Sequence, residues 1–237
     1  MHIMEGFLPL QWAVFWWILA LPCLAFGIYQ LKKVIAADRE SLPLLGVTGG
    51  FIFILSSLKL PSVTGSCSHP TGTGISTICF GPWITSVVCA IVLLFQALFL
   101  AHGGLSTLGA NLVSMGVVGP LVGWGVYRAF RDTRINMYLT VFLACALADI
   151  FTYVVTSLEL AMAYPSGTSG IVGSFILFMG IFSITQIPLA IVEGVILSLV
   201  FKYIVQLKPE ILLRLNIFPA DKIRYNREVT DDSQVQA

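Results

Sequence analysis

The chain reads as a succession of long apolar runs separated by short polar connections. Five of them, Phe7–Tyr29, Leu42–Leu58, Ile78–Ala101, Leu105–Tyr127 and Ile135–Leu158, meet or approach the roughly 20 residues that a helix needs to cross about 30 Å of hydrocarbon. A sixth, Ile171–Val205, is too long for one perpendicular crossing at about 1.5 Å of rise per residue. Pro188 marks a place where that run can divide or kink. The pattern predicts an all-α integral membrane protein, a polytopic bundle of about seven transmembrane helices.

Composition sharpens this reading. Only 11% of the 237 residues are charged, against roughly 25% in an ordinary soluble domain. From Leu60 to Tyr127 there is no Lys, Arg, Asp or Glu at all. Lipid is the solvent such a stretch requires. The net charge of +1 and the lack of a basic face argue against nucleic acid as a partner.

The basic residues report orientation. Lys32, Lys33 and Arg39 follow the first run, Arg128, Arg131 and Arg134 follow the fourth, and Lys202, Lys208, Arg214, Lys222, Arg224 and Arg227 occupy the end of the chain. The positive-inside tendency places the first connection and the tail in the cytoplasm, hence Met1 outside and an odd number of crossings. Seven fits better than six. If the last run divides, the Arg128–Arg134 connection lies outside; if an additional crossing precedes Tyr127, it lies inside. Both versions put Pro61–Thr77 on the same side as Met1. The expected organisation is a transmembrane metal-binding domain over residues 1–206 and a cytoplasmic tail over 207–237, disordered from about Asp221. The opening MHIMEGFLP has no basic stretch before its apolar run and is expected to be retained.

Motifs exclude more than they assign. No GxxxxGK[ST], HExxH, CxxC or GxSxG occurs, so an enzyme has nothing to stand on and any ATP hydrolysis belongs to another subunit. The histidines are His2, His69 and His102. The imidazole of His2, its own amide nitrogen and the α-amino group of Met1 can close adjacent chelate rings on one ion. A fourth nitrogen would complete a tetragonal field suited to late first-row divalent metals, and His69, in the loop SVTGSCSHPTGTG, is the candidate. Spacing alone also allows a frayed terminal His2 and a hydrogen-bonding His69. His102, in AHGGLSTLGAN, is expected across the membrane from Met1 in a structural role.

Of the cysteines Cys23, Cys67, Cys79, Cys89 and Cys145, three lie well inside apolar runs and read as small buried hydrophobes; Cys67 and Cys79 fall in or beside one polar loop, where a disulfide is conceivable in an oxidising compartment. Asp149, Glu193 and Lys59 are costly in or beside apolar runs. They suit helix packing or partner contact, or ion coupling if the chain were a self-powered secondary cation transporter.

Four blocks, MHIMEGFLP, SVTGSCSHPTGTG, LAHGGLSTLGAN and TQIPLAIVEG, together resemble the membrane M component of energy-coupling-factor cobalt transporters, with nickel-transporting M components as close relatives. The resemblance implies an S-component-like bundle in the cell membrane that takes cobalt(2+) as transported substrate for cobalamin biosynthesis, with nickel(2+) as the alternative and no prosthetic group. It implies Met1, His2 and His69 as the metal ligands. It also implies partners: a transmembrane coupling (T) component, ABC-type ATPase subunits and a small accessory membrane (N) subunit.

Overall fold

The computed structural model describes residues 2–61 and 66–226; Met1, to which a ligand role is ascribed above, and Arg227 lie outside the described residues. In chain order the elements are β1 (His2–Ile3), α1 (Leu10–Ala37), α2 (Ser41–Ser57), β2 (Leu60–Pro61), β3 (Ser66–Ser68), α3 (Thr73–Phe80), α4 (Pro82–Leu100), α5 (Leu108–Asn111), a π-helical segment (Leu112–Val118), α6 (Gly119–Arg131), α7 (Met137–Ala163), α8 (Gly170–Leu207) and α9 (Pro209–Arg214). The strands form one small antiparallel sheet in the order β1-β3-β2.

Among the described residues five helical stretches are long and apolar enough to cross a membrane, α1, α4, Leu108–Arg131, α7 and α8, and α2 is a shorter apolar helix. The all-α polytopic architecture therefore stands. Its outer face is apolar: Ile184 in α8 is 76% exposed and Phe99 in α4 is 74% exposed, which only a lipid surround accommodates on so many neighbouring side chains. The inward face of α8 is a single stripe, Phe178, Phe182, Gln186, Ala190, Glu193, Leu197 and Phe201, at the three- and four-residue spacing that lines up one side of a helix. Close approach needs small residues. A Cβ on Gly27 of α1 would sit 2.2 Å from the Trp83 carbonyl oxygen, so only glycine lets α1 lie against the start of α4.

The long last run does not divide. Pro188 lies inside the continuous 38-residue α8, which at about 1.5 Å per residue extends about 57 Å, well beyond the hydrocarbon. Pro188 lies on the exposed face, and the buried stripe continues on both sides of it through Gln186, Ala190 and Glu193, so one packed face carries the helix across it. The additional passage comes earlier. Chain 69–80 leaves the end of the bundle where β1 and β3 pair, and α3 carries Ile75 and Ile78 into a cluster with Tyr127, Met137, Phe218 and Ile223, at the opposite end. After Gly81, α4 returns. Among the described residues this makes seven passages, counting α2 and the short α3 beside the five long ones, and the charge-free stretch from Leu60 to Tyr127 holds three of them.

One consequence corrects the expected topology at His102, which returns to the end occupied by His2 rather than the opposite one. The other end gathers the basic connections. Arg214 pairs with Asp38 at 3.3 Å and Glu40 at 2.5 Å, Arg131 Nη2 donates to the Asn216 carbonyl at 2.8 Å, Lys222 Nζ donates to the carbonyls of Arg131 and Thr133, and Tyr127 donates to the carbonyl of Ile217. The chain beyond Asp221 is also less disordered than expected: 220–226 is helical, and Ile223 is 1% exposed in the cluster with Leu212, Ile217 and Phe218.

This arrangement predicts the outcome of labelling single engineered cysteines with a membrane-impermeant thiol reagent. Sites at 134 and 210 should react from one side of the membrane, and sites at 106 and 167 from the other, with the unmodified chain as background. A further site at 40, in the connection after α1, should react from the side of 134 and 210; reaction of 40 and 106 from the same side would contradict the passage formed by 69–80.

Candidate metal centre

The site begins with strand register. β1 pairs with β3 so that His2 lies opposite Cys67 and Ile3 opposite Ser66, and directly opposed residues of an antiparallel pair project to the same face. Along the extended chain His69 is two residues beyond Cys67 and shares that face, while Ser68 points the other way, where its hydroxyl meets Thr185 Oγ1 of α8 at 2.8 Å. Three chemistry-bearing side chains, one from residue 2 and two from the loop, thus converge by pleat alone.

The N-terminal strand is fixed from its other edge as well. Asn111 Oδ1 accepts from the Ile3 amide at 2.8 Å, and Asn111 Nδ2 and Thr107 Oγ1 donate to the Ile3 carbonyl at 3.1 and 2.8 Å. Both main-chain groups of a fully buried residue are satisfied in this way. The chain beyond β1 lies so close to the turn after α4 that a Cβ on Gly104 would sit 2.2 Å from Glu5 Oε2. Glu5 in turn accepts from the Ser106 amide at 3.1 Å, and hydrogen bonding from Ser106, the side chain first and the amide after it, holds its carboxyl below the usual range.

His102 follows α4 directly and enters the same cavity. His2 Nδ1 is 3.0 Å from His102 Nε2, and Cys67 Sγ is 2.9 Å from that same nitrogen. The His2 and His69 ring centroids are 4.3 Å apart, and the His69 and His102 centroids 4.9 Å apart. The four residues each offer one ligand atom within 4.8 Å of all the others, and all four are buried. Burial holds the His2 and His69 imidazoles well below their ordinary pKa, reinforced at each by neighbouring imidazole, and pushes His102 down to about 3. Burial raises the Cys67 thiol. The rings are therefore neutral near pH 7, with lone pairs available to an ion rather than to a proton.

The tautomer of His69 is set by its surroundings. Its Nδ1 is 2.8 Å from the Pro70 carbonyl oxygen, which can only accept, so Nδ1 carries the hydrogen and Nε2 holds the free lone pair. His69 Nε2, His2 Nε2 and His102 Nδ1 are buried with no hydrogen-bond partner among the described residues. Unpaired buried polar atoms are costly, and three around one cavity fit a place built for a ligand.

α8 holds the loop that bears His69. Gln186 Nε2 donates to the His69 carbonyl at 3.1 Å and to both carboxyl oxygens of Asp149 at 2.8 and 2.9 Å. Two turns further along α8, the Glu193 carboxyl accepts from Thr71 N at 2.5 Å, Thr71 Oγ1 at 2.9 Å and Gly72 N at 2.9 Å. Gly72 itself adopts φ +69, and a Cβ there would meet the Ile52 Cα at 3.1 Å, so the turn into α3 requires glycine. Asp149 and Glu193 are thus the polar seams of the bundle. Lys59 is exposed.

Of the residues expected at a metal site, His2 and His69 are brought together. Cys67 and His102 stand with them, although the sequence reading set both aside. The Cys67–Ser68–His69 alternation was the available signal for one of them, since an extended strand places positions 67 and 69 on one face. Nothing local signalled His102, whose placement depends on the extra passage through α3. The disulfide conceived between Cys67 and Cys79 is not formed, and both cysteines are free.

The clamp from α8 generates a measurable expectation. Glu193→Gln keeps the size of the side chain but turns one acceptor into a donor facing a backbone amide. It should weaken binding of a divalent metal by about 10–100-fold, the usual cost of disturbing the groups that orient a ligand. Isothermal titration of the purified variant beside the unaltered chain measures it, with thermal unfolding as the check on folding; equal affinities would refute the clamp.

The family model described as cobalt uptake substrate-specific transmembrane region, CbiM, matches residues 2–211. A putative cobalt transport protein of Methanosphaerula palustris is 64% identical over 231 residues, covering 98% of each chain. One from Archaeoglobus fulgidus is 53% identical over 214 residues, covering 90% of this chain and 98% of the relative. A crystal structure of a truncated transition metal transporter superposes with a TM-score of 0.75 at 25% identity, covering 86% of this chain and 98% of that one. With the buried histidine cavity, the multi-pass bundle and a family match over nearly all of the membrane part, the chain belongs to the CbiM family of cobalt-uptake membrane proteins.

Proposed function

We propose that this chain is the substrate-capturing membrane subunit of an ATP-driven cobalt importer of the energy-coupling-factor type. It takes the ion from outside the cell through a chelate formed by the α-amino group of Met1, the amide nitrogen and imidazole of His2, and the imidazole of His69. The observation that carries this reading is the meeting of His2 with His69 in a buried cavity, with His69 Nε2 left without a partner while Nδ1 is tied to Pro70. His2 is the only position from which an imidazole can share an ion with both the preceding terminal amine and its own amide nitrogen. A nitrogen-rich field of that kind favours late first-row divalent ions over magnesium or calcium, and nickel is the competitor to titrate beside cobalt.

The end that bears β1 and β3 is the outer one. Its opposite carries the basic residues of three connections, as the cytoplasmic face of a membrane protein does. The buried acids support capture rather than self-powered transport, because Asp149 and Glu193 are committed to Gln186 and to the loop that bears His69. With no phosphate-binding loop in the sequence, energy comes from separate ABC-type ATPase subunits through a transmembrane coupling component, with a small accessory membrane subunit beside them. The cobalt serves cobalamin synthesis.

Two outcomes test this reading. Adding one residue before Met1 converts the terminal amine into an amide and moves His2 out of the chelating position without removing any side chain. Cobalt affinity, measured by titration of the correctly folded protein, should fall at least as far as the roughly 10–100-fold typical of second-sphere changes, as it should for His2→Ala and His69→Ala; an unchanged affinity in the extended chain would exclude the terminal amine. The purified subunit alone should bind cobalt without hydrolysing ATP, and cells should accumulate the ion only when coupling and ATPase subunits are present. Uphill uptake by the chain alone would replace this reading with secondary transport.

A further inference from the structure

Two members of the cavity have no part in the nitrogen chelate. Cys67 Sγ and His102 Nε2 are 2.9 Å apart, and His102 Nε2 is 3.0 Å from His2 Nδ1, so sulfur and a third imidazole face the ion-binding atoms directly. All four ligand atoms lie within 4.8 Å of one another. The edge of a tetrahedral site with three zinc–nitrogen bonds of about 2.0–2.1 Å and one zinc–sulfur bond of about 2.3 Å is about 3.3–3.6 Å, between the 2.9 Å contact and the 4.8 Å limit of these pairs. His69 Nε2 has no hydrogen-bond partner among the described residues, and all four side chains are buried.

We propose that Cys67 and His102 join His2 and His69 in a second coordination mode, a four-coordinate site of three imidazoles and one thiolate for divalent ions of the zinc and cadmium class. The two modes share His2 and His69 and are therefore mutually exclusive. A planar nitrogen field suits ions whose d electrons favour it. Zn²⁺ and Cd²⁺, with filled d shells, have no such preference and accept the tetrahedral arrangement with sulfur. These ions thus compete with cobalt for one cavity through partly different atoms, and Cys67 determines how strongly. The competition rests on the proposed cobalt chelate; the sulfur-containing site itself does not.

The test uses the full-length chain with its native N-terminus, purified in detergent. Cadmium added at one equivalent should give thiolate-to-metal charge-transfer absorption in the near ultraviolet, and Cys67→Ser should abolish it. In competition titrations the ratio of zinc to cobalt affinity should fall at least tenfold in Cys67→Ser and in His102→Asn. A wild-type protein that binds cadmium without thiolate absorption would overturn the proposal, whether or not either variant folds. So would an unchanged zinc-to-cobalt ratio in folded Cys67→Ser, or thiolate absorption of equal strength with cobalt, which would merge the two modes. Cadmium absorption without any cobalt binding would sink the transport reading and leave this site standing.

Discussion

The docking of two residues, His2 and Ile3, onto the edge of β3 is the interaction on which the rest of the site depends. In a bundle surrounded by hydrocarbon a backbone amide or carbonyl has no water to turn to, and each one left unpaired costs several kcal/mol, on the order of ~2–7 by transfer measurements. The N-terminal strand meets that demand on both edges, through β3 on one side and through Asn111 and Thr107 on the other. Only because the backbone is satisfied there can His2 and Ile3 lie fully buried, and only then does the second residue become a buried functional group.

A complementary constraint acts from α8. Its outward face is apolar and meets lipid, while its inward stripe carries Gln186 and Glu193 among Phe178, Phe182, Leu197 and Phe201. These two polar residues bind backbone groups of 69–72 rather than one another. The loop that carries His69 is therefore held by side-chain hydrogen bonds in a medium of low dielectric, where such bonds are strong and unsatisfied alternatives costly. α8 runs from the histidine end to the basic end as one helix, so the same rigid element that orients His69 also reaches the face where Arg131, Arg214 and Lys222 assemble the connections.

Chemistry and architecture agree at the cavity. Buried imidazoles packed ring to ring, a fixed His69 tautomer with an unpaired Nε2, and a thiol in contact with His102 form a donor set suited to a cation. Nothing comparable surrounds Asp149 or Glu193, which are already engaged. The distinction separates ionisable groups that build the bundle from those that serve its cargo, and burial alone would not have drawn it.

The sequence by itself determined the solvent, the helical architecture, the family and two members of the cavity. Apolar runs of spanning length, a charge-free stretch and basic connections are local properties, readable because a helix satisfies its own backbone bonds and needs no distant partner. His2 was legible as a candidate because its imidazole, its own amide and the preceding amine are adjacent in the chain, and His69 because it lies in a polar loop expected on the same side. The rest was decided in three dimensions. Pro188 was compatible with a break or with a continuous helix, and packing against neighbouring helices selected the latter. The passage through α3 is too short and too rich in Gly, Ser and Thr to register as a crossing, yet it reverses the side on which His102 emerges. Cys67 became a neighbour of His2 through a strand register that no periodicity specifies, because pairing between residues 2 and 67 exists only once the terminus has docked. Such long-range contacts depend on the shape of the assembled bundle, and only the tertiary structure holds that information.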